Sequence, residues 1–202
     1  MSLFSYKIVR DFGFAPNPFF GFCTLAACKP QIRKGAEVGD LIVGSGGLGH
    51  CRPNRVIFAM RVSEKLTFNQ YWHDERFAKK KPNLESSWMR AYGDNIYHQT
   101  DGGDWLQADS HHSYGDGGLN LDNRNRDIGC LSVLIGNDFA YFGSDAIPIP
   151  EQLQPFENDY LFPRGRNYRN SYSLAFENAA NEWFESLPKG RRSLPSDWKH
   201  LA

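Results

Sequence analysis

The sequence predicts an α+β protein built on a small curved β-sheet or an open β-barrel, with flanking helices and a C-terminal helix. Short runs rich in β-branched and aromatic residues recur along the chain, separated by turn residues. One strong amphipathic stripe lies near the C-terminus. The regular alternation of strand and helix that marks a doubly wound parallel sheet is missing, which disfavours that class.

The first strands are expected at residues 6–10, 41–43 and 55–62, the last being the best strand pattern in the sequence. The glycine-rich stretch 44–49 is typical of a hairpin loop between the second and third of these. It lacks the Lys-Ser/Thr of a phosphate-binding loop.

Further elements follow from local signals. Residues 25–27 predict a short helix cut by Pro30, and helical patterns cover 67–77 and 88–92. Residues 95–98 and 105–107 predict a hairpin around 101–104, and 131–135 with 139–142 predict a second one around 136–138. The clearest helix runs over 173–187, with Ser173 as N-cap and Pro188 as stop.

Length and composition bound the class of protein. The 202 residues predict a single domain: a core at about 1–145, a C-terminal extension with a helix at about 150–188, and a polar tail at 189–202. There are 23 basic and 23 acidic residues, which excludes a simple polycation that coats DNA. The first hundred residues carry 14 basic and 8 acidic residues, a net +6, and the remainder carries −6.

The same reading bounds compartment and cofactors. No apolar run approaches the roughly 20 residues that span a bilayer, and the N-terminus does not resemble a signal peptide, so no membrane partner is expected. Four cysteines are too few for a disulfide scaffold, which predicts free thiols in the cytoplasm. A metal site would take Cys23, Cys28, His50 and Cys51, but without a CxxC pair buried thiols are favoured, and neither a metal nor a cofactor is expected.

The densest polar cluster holds three of the six histidines. His98 falls on one arm of the predicted hairpin, and Asp109, His111 and His112 follow the other, so an acid/base pair or a reader of base edges is possible. The alternative is that these histidines cap strands or lie on the surface. A nucleophile set of Asp109, Ser110 and His111 or His112 is disfavoured, because adjacent residues rarely converge as a triad.

A phenylalanine-rich loop precedes a group of basic residues. Phe12, Phe14, Phe19, Phe20 and Phe22 surround a Pro-Asn-Pro turn, where they would either sandwich a base or close over the core. The basic clusters that would contact phosphate comprise Lys29, Arg33 and Lys34; Lys79, Lys80 and Lys81; and Arg164, Arg166 and Arg169.

Several strings resemble one family. They include 12–21 (FGFAPNPFFG), 23–30 (CTLAACKP), 58–62 (FAMRV), 93–98 (GDNIYH) and 109–113 (DSHHS). These strings are similar to the nucleotide modification associated domain type 2 family over most of the chain, less so after about residue 150. The resemblance implies a place in bacterial or phage systems that modify bases or recognise modified ones. A weaker, pattern-level similarity links the chain to the PUA-like barrels of the EVE, ASCH and SRA groups, which hold modified bases or nucleotides. This similarity implies that the core at about 1–145 is a PUA-like open β-barrel.

Three hypotheses follow. In the first, the chain is a module that binds a modified base, a nucleotide or nucleic acid, and Phe19, Phe20 or Trp105 stack on the base. The base edge is then read by Asn95, His98, Asp109, His111 and His112. Phosphate is held by Lys29 and Arg33. In an enzyme acting on a base or nucleotide, His98 or His111 is the general acid/base and Asp109 orients it. In the third, the chain is a structural subunit of a modification system. The oligomeric state stays open.

Overall fold

The computed structural model describes residues 1–47, 53–163 and 167–200, and its fold is α+β with a C-terminal helix, as predicted. The strands are β1 (Leu3–Ile8), β2 (Cys23–Leu25), β3 (Leu41–Gly46), β4 (Val56–Arg61), β5 (Glu64–Thr67), β6 (Tyr97–Gln99), β7 (Trp105–Gln107), β8 (Ser132–Gly136), β9 (Asp138–Tyr141), β10 (Tyr168–Arg169) and β11 (Gly190–Arg191). The helices are α1 (Pro30–Gly35), α2 (Phe68–His73), α3 (Trp88–Ala91), α4 (Leu121–Ile128) and α5 (Leu174–Ser186), with 3-10 turns at Glu75–Lys80, Gly143–Asp145, Glu151–Leu153 and Ser196–His200.

The chain forms two compact units. The first comprises Met1–Phe12, Ala36–Ser63 and Gly136–Ala202, and the second comprises Gly13–Gly35 and Glu64–Ile135. Among the described residues, no helix is both long enough and apolar enough to cross a membrane.

The first unit contains a six-stranded mixed sheet in the order β10-β1-β3-β4-β9-β11. β3 and β4 pair antiparallel, so the hairpin expected there is confirmed, whereas β1 and β3 are parallel. Over the described residues the sheet stays open, with β10 and β11 at its edges. Helix α5 buries Phe176, Ala180, Trp183 and Phe184 in the core of this unit, because its apolar stripe recurs at helical spacing.

Three expectations in the first half of the chain needed adjustment. β1 begins at Leu3 rather than at residue 6, and Leu3 is fully buried. Residues 23–25 form strand β2, and Pro30 begins helix α1 instead of ending one, because proline fits the first helical position, where no backbone N–H is required. β3 continues through Gly46, and the remainder of the predicted loop, residues 48–49, lies outside the described residues.

The second unit contains a three-stranded sheet, β2-β8-β5, and the hairpin β6-β7, which was expected. The hairpin predicted between β8 and β9 is wrong, because β8 pairs with β5 and β2 whereas β9 pairs with β4 and β11. Gly136, the glycine that suggested a turn, instead lies where the backbone of Arg61 packs closely against it. A Cβ at this position would lie 2.8 Å from the carbonyl oxygen of Arg61, so glycine permits close packing here.

The helical pattern of 67–77 is divided in two. Thr67 caps α2 through a reciprocal capping box with Gln70. α2 ends at His73. Its C-cap, Asp74, has an extended backbone and accepts a hydrogen bond from the Arg76 N–H, which begins the 3-10 turn. The helix α3 was expected; α4 was not, because its sequence is polar and has no apolar stripe.

Candidate functional site

A cleft of about 360 Å³ opens in the second unit between helix α3 and the loop of residues 109–117. We call it the aromatic cleft. Its lining combines aromatic, polar and small residues: Leu84, Trp88, Ala91, Tyr92, Asp109, Ser110, His111, Ser113, Tyr114, Gly115 and Gly117. None of these lining residues is Lys or Arg, so the described wall offers a planar ligand rings and hydrogen-bonding groups but no cationic side chain.

Local structure positions both walls. Trp88 and Tyr92 are four residues apart and therefore lie on one side of the helical turn, with ring centroids 6.1 Å apart and an interplanar angle of 29°. The opposite loop is closed by backbone hydrogen bonds, from Ser113 N–H to the Ser110 carbonyl at 2.9 Å and from Tyr114 N–H to the Gly118 carbonyl at 2.8 Å. These turns hold Asp109 and Tyr114 in a fixed frame.

Two aromatic side chains of the cleft are exposed to solvent: Trp88 is 49% exposed and Tyr114 is 55% exposed. Exposed aromatic residues that line a concave surface are typical of a binding site, because a planar ligand that stacks on them removes their apolar surface from water.

His111 contributes a polar ring to the cleft. Its ring makes edge contacts with Phe14 at 5.3 Å and with Tyr92 at 5.2 Å between centroids. Partial burial of the ring among these neighbours, followed by the charge of the nearby His112, lowers the pKa of His111 below its usual value. A neutral His111 offers one donor and one acceptor.

His112 is not among the residues that line the cleft. Its Nε2 lies 3.5 Å from Cys28 Sγ, and its Nδ1 lies 2.9 Å from Asp127 Oδ2. The Asp127 carboxylate also accepts hydrogen bonds from the Tyr97 hydroxyl at 3.1 Å and from the Cys28 backbone N–H at 3.0 Å. Cys28, His112 and Asp127, which we call the thiol triad, are thus connected in series.

Burial and hydrogen bonding set the charges in the thiol triad. Burial alone would lower the pKa of His112, but hydrogen bonds and charge interactions with Asp127 and Cys28 overcome it and raise the pKa to about 9. For Asp127 burial acts upward, yet the hydrogen bond and charge of His112 lower its pKa overall. Burial, then the charge of Asp127, raises the pKa of Tyr97, so its hydroxyl stays a donor. His112 is therefore a stronger base than an ordinary imidazole.

Arg33 fixes the backbone around the thiol triad. Its guanidinium is fully buried and donates to four carbonyls: Cys28 at 2.8 Å, Asp127 at 2.6 Å, and Cys130 and Ser132 each at 2.8 Å. Two of these carbonyls belong to triad residues, so Arg33 sets the distance between the segments that carry the thiol and the carboxylate.

The structure brings some predicted site residues together and separates others. Asp109 and His111 line the aromatic cleft. Phe19 is buried, Phe20 and Lys29 are half-buried, and none of these three lines the cleft. Arg33 and His112 belong to the thiol triad and its support.

Three further predicted residues lie on other parts of the second unit. Asn95 is buried and donates to the carbonyls of Tyr71 at 2.9 Å and Phe77 at 3.4 Å. The ring of His98 is stacked on Trp72, with centroids 3.8 Å apart. Trp105 packs edge-on against Phe68, a core residue, at 5.8 Å.

The other candidate groups have definite places as well. Phe14 and Phe19 are almost fully buried, so the phenylalanine-rich loop contributes to the core. Cys23 is buried and Cys28 contacts His112; His50 and Cys51 lie outside the described residues. Within the described ranges, no group of three or more His, Cys, Asp and Glu side chains could hold a metal ion.

The three basic clusters have different environments. Lys80 is buried, whereas Lys79 is exposed. Arg169 forms an ion pair with Asp159 at 3.3 Å. Arg164 and Arg166 lie outside the described residues.

The sequence analysis did not identify the aromatic residues of the cleft or the pairing of the thiol with the carboxylate in the thiol triad. Trp88 and Tyr92 were recognised as helical, and their i, i+4 spacing was the signal that they share a face. Tyr114 follows the polar cluster without any pattern of its own. Cys28 and Asp127 are 99 residues apart, and no local spacing could have joined them.

Comparison with known proteins identifies the family. The model of nucleotide modification associated domain 2 matches residues 1–202, the whole chain, and the chain therefore belongs to this family. No curated protein and no solved structure matches it.

Proposed function

We propose that this member of the nucleotide modification associated domain 2 family binds a modified base, presented as a nucleoside, a nucleotide or part of a nucleic acid, in the aromatic cleft. The observation that carries the proposal is the pairing of exposed Trp88 and Tyr114 with the polar groups of Asp109 and His111 in one concave site. The family links the chain to nucleotide modification, and the cleft supplies a matching chemistry.

Stacking provides the affinity in this proposal. A base presents a flat π-face to Trp88, Tyr92 or Tyr114, and each stacked base contributes about 1–3 kcal/mol. Asp109 is a carboxylate and accepts hydrogen bonds, which favours a base with an exocyclic amine or with an amine or hydroxyl in its modification. Neutral His111 adds a donor and an acceptor for the base edge.

The charge of the cleft favours recognition of the base over recognition of the phosphate. A phosphate site uses Lys, Arg or a run of backbone N–H groups, and the described lining residues include no Lys or Arg. The proposed ligand therefore enters base first. We further propose that this takes place in the cytoplasm of a bacterium or a phage-infected cell, in keeping with the free cysteines Cys23, Cys28 and Cys130.

Replacing Trp88 with alanine is expected to weaken binding of the preferred ligand by about tenfold or more, because it removes one stacking face. Isothermal titration calorimetry measures this with a panel of deoxynucleosides carrying methylated, hydroxymethylated or aminomethylated bases, together with the corresponding monophosphates. Asp109→Asn should reduce the preference for aminomethylated over methylated bases.

The matched control is Phe156→Ala, which removes another exposed aromatic ring, 72% exposed, from the first unit. It should leave the dissociation constants unchanged within twofold. The proposal fails if no member of the panel binds in low salt, or if Trp88→Ala and Phe156→Ala bind equally well.

A further inference from the structure

Outside the aromatic cleft, the second unit contains a nucleophile, a base and an orienting carboxylate in series. Cys28 is half-buried, whereas Asp127 is fully buried. The order thiol, imidazole, carboxylate follows the arrangement in which one imidazole nitrogen exchanges a proton with the nucleophile and the other is held by an anion.

We propose that Cys28, His112 and Asp127 form a catalytic centre for acyl transfer, in which Cys28 attacks the carbonyl carbon of an ester- or amide-type substrate. The geometry supports one role for each residue: Cys28 Sγ at 3.5 Å from His112 Nε2, and His112 Nδ1 at 2.9 Å from Asp127 Oδ2. Neither the family description nor the binding function proposed above includes such an activity.

The surroundings hold the triad in its reactive tautomer. Asp127 accepts from His112 Nδ1, from Tyr97 and from the Cys28 backbone N–H, which leaves His112 Nε2 directed at the thiol. A purely structural histidine does not require a buried carboxylate behind it that is fixed by these donors and by Arg126 Nε at 3.4 Å. The raised pKa of His112 fits a base that takes the thiol proton through Nε2 and so gives the thiolate that attacks.

The chemical step balances without a further reagent. The Cys28 thiolate forms a bond to the carbonyl carbon, the bond to the leaving group breaks with its electron pair, and His112 Nε2 gives its proton to the leaving group. Water then attacks the thioester carbon and gives a proton to His112, the S–C bond breaks, and a carboxylic acid departs. The thiolate and the imidazolium are thereby restored.

Two reagents test the centre. Iodoacetamide alkylates Cys28 Sγ with loss of iodide, and peptide mass spectrometry identifies which cysteine has reacted. Near pH 6 we expect the wild-type protein to react at Cys28 at least about tenfold faster than a free-cysteine peptide, because His112 Nε2, 3.5 Å from Sγ, takes the thiol proton as the sulfur attacks. p-Nitrophenyl acetate should give a burst of p-nitrophenolate and an acetyl group on Cys28, trapped by an acid quench.

Variants separate this chemistry from a structural hydrogen bond. Cys28→Ala should abolish the burst, and His112→Gln should shift the pH profile of alkylation toward that of an ordinary thiol. His73→Gln is the matched control, since His73 is exposed and its Nδ1 lies 2.9 Å from the Asn69 carbonyl oxygen rather than beside a thiol, and it should behave as wild type. The groups that surround His112 and also bear on the profile are Asp127, Tyr97, Arg33, Arg126, His111 and Cys28.

Two results would overturn the proposal. One is a wild-type Cys28 whose alkylation follows the pH profile of a free-cysteine peptide, a measurement that does not depend on whether His112→Gln folds. The other is the absence of acetyl-Cys28 after p-nitrophenyl acetate, whatever the alkylation rate. Neither result bears on the aromatic cleft, so failure of the thiol chemistry stays distinct from failure of base binding.

Discussion

Replacing Lys80 with methionine is expected to lower the free energy of unfolding by about 3–5 kcal/mol, because it removes one charge of a fully buried network and leaves its partners unpaired. Lys80 Nζ lies within hydrogen-bond distance of the Asn17 carbonyl (3.0 Å), Asn17 Oδ1 (2.7 Å), the Phe22 carbonyl (3.0 Å) and Thr24 Oγ1 (3.0 Å). Methionine keeps most of the apolar part of the lysine side chain, so the decrease in the free energy of unfolding measures the loss of the polar contacts of Nζ.

The network continues to a buried carboxylate and to the cleft. Thr24 donates to Asp94 at 2.6 Å, and Asn17 Nδ2 donates to the carbonyl of Tyr92, a cleft residue, at 3.0 Å. Without the ammonium group, Asp94 remains buried without its nearest positive charge. The same variant should therefore also weaken base binding, through displacement of the segment that carries Tyr92.

Urea denaturation followed by circular dichroism measures the stability change. Lys79→Met is the matched control: Lys79 is exposed, and its replacement should change the free energy of unfolding by less than about 0.5 kcal/mol. A loss below about 1 kcal/mol for Lys80→Met would contradict the account of a buried, fully bonded ammonium.

The difference in stability between the wild-type protein and Lys80→Met is expected to change with pH in one direction. Burial lowers the pKa of Lys80 from 10.5 to about 8, against the opposing charge of Asp94. Between these values the unfolded chain binds more protons at this position than the folded chain does, so the stability contributed by Lys80 rises with pH. The stability gap between wild type and Lys80→Met should therefore widen from pH 8 to 10.5; a narrowing gap would show that folding raises this pKa instead.

Replacing Arg33 with lysine is expected to cost about 3 kcal/mol or more, even though the charge is kept. The planar guanidinium donates to four backbone carbonyls at once. A lysine ammonium has only three N–H donors on a single nitrogen, so it cannot bond all four carbonyls. Each abandoned carbonyl is left buried without its donor. Because two of the carbonyls belong to Cys28 and Asp127, the variant should also slow alkylation of Cys28.

Thermal and urea unfolding of Arg33→Lys measure the stability change, and iodoacetamide measures the effect on the thiol triad. Lys34→Ala, an exposed basic residue on the same helix, is the control and should leave both quantities near wild type. An Arg33→Lys protein as stable as wild type would mean that the four carbonyl bonds contribute little to stability.

Local signals in the sequence predicted the local part of the fold. The β3–β4 pair, the β6–β7 hairpin, α3 and α5 each depend on residues close together in the chain, and all four are present. The partners of β8 and β9 could not be predicted in this way, since strand pairing depends on distant segments. α4 was not predicted, because it has no apolar stripe and its main local signal is the N-cap residue Asn120.

The site shows the same division. Asp109 and His111 were predicted and line one cleft, because they sit on one short loop. Arg33 was predicted as a phosphate ligand, but a basic residue in a sequence carries no sign of whether its guanidinium meets solvent or four buried carbonyls. Cys28 and Asp127 come together only in three dimensions, across 99 positions.

The indole N–H resonances of the five tryptophans test the central claim most directly, since each reports its own neighbourhood. In a ¹⁵N-correlated spectrum titrated with a base-modified deoxynucleoside, we predict that the Trp88 resonance shifts progressively while those of Trp72, Trp105, Trp183 and Trp198 stay in place. Such a result places the ligand in the aromatic cleft. A shift at Trp72, beside His98, with Trp88 unchanged, or no shift at any tryptophan at millimolar ligand, would contradict the assignment of base binding to this cleft.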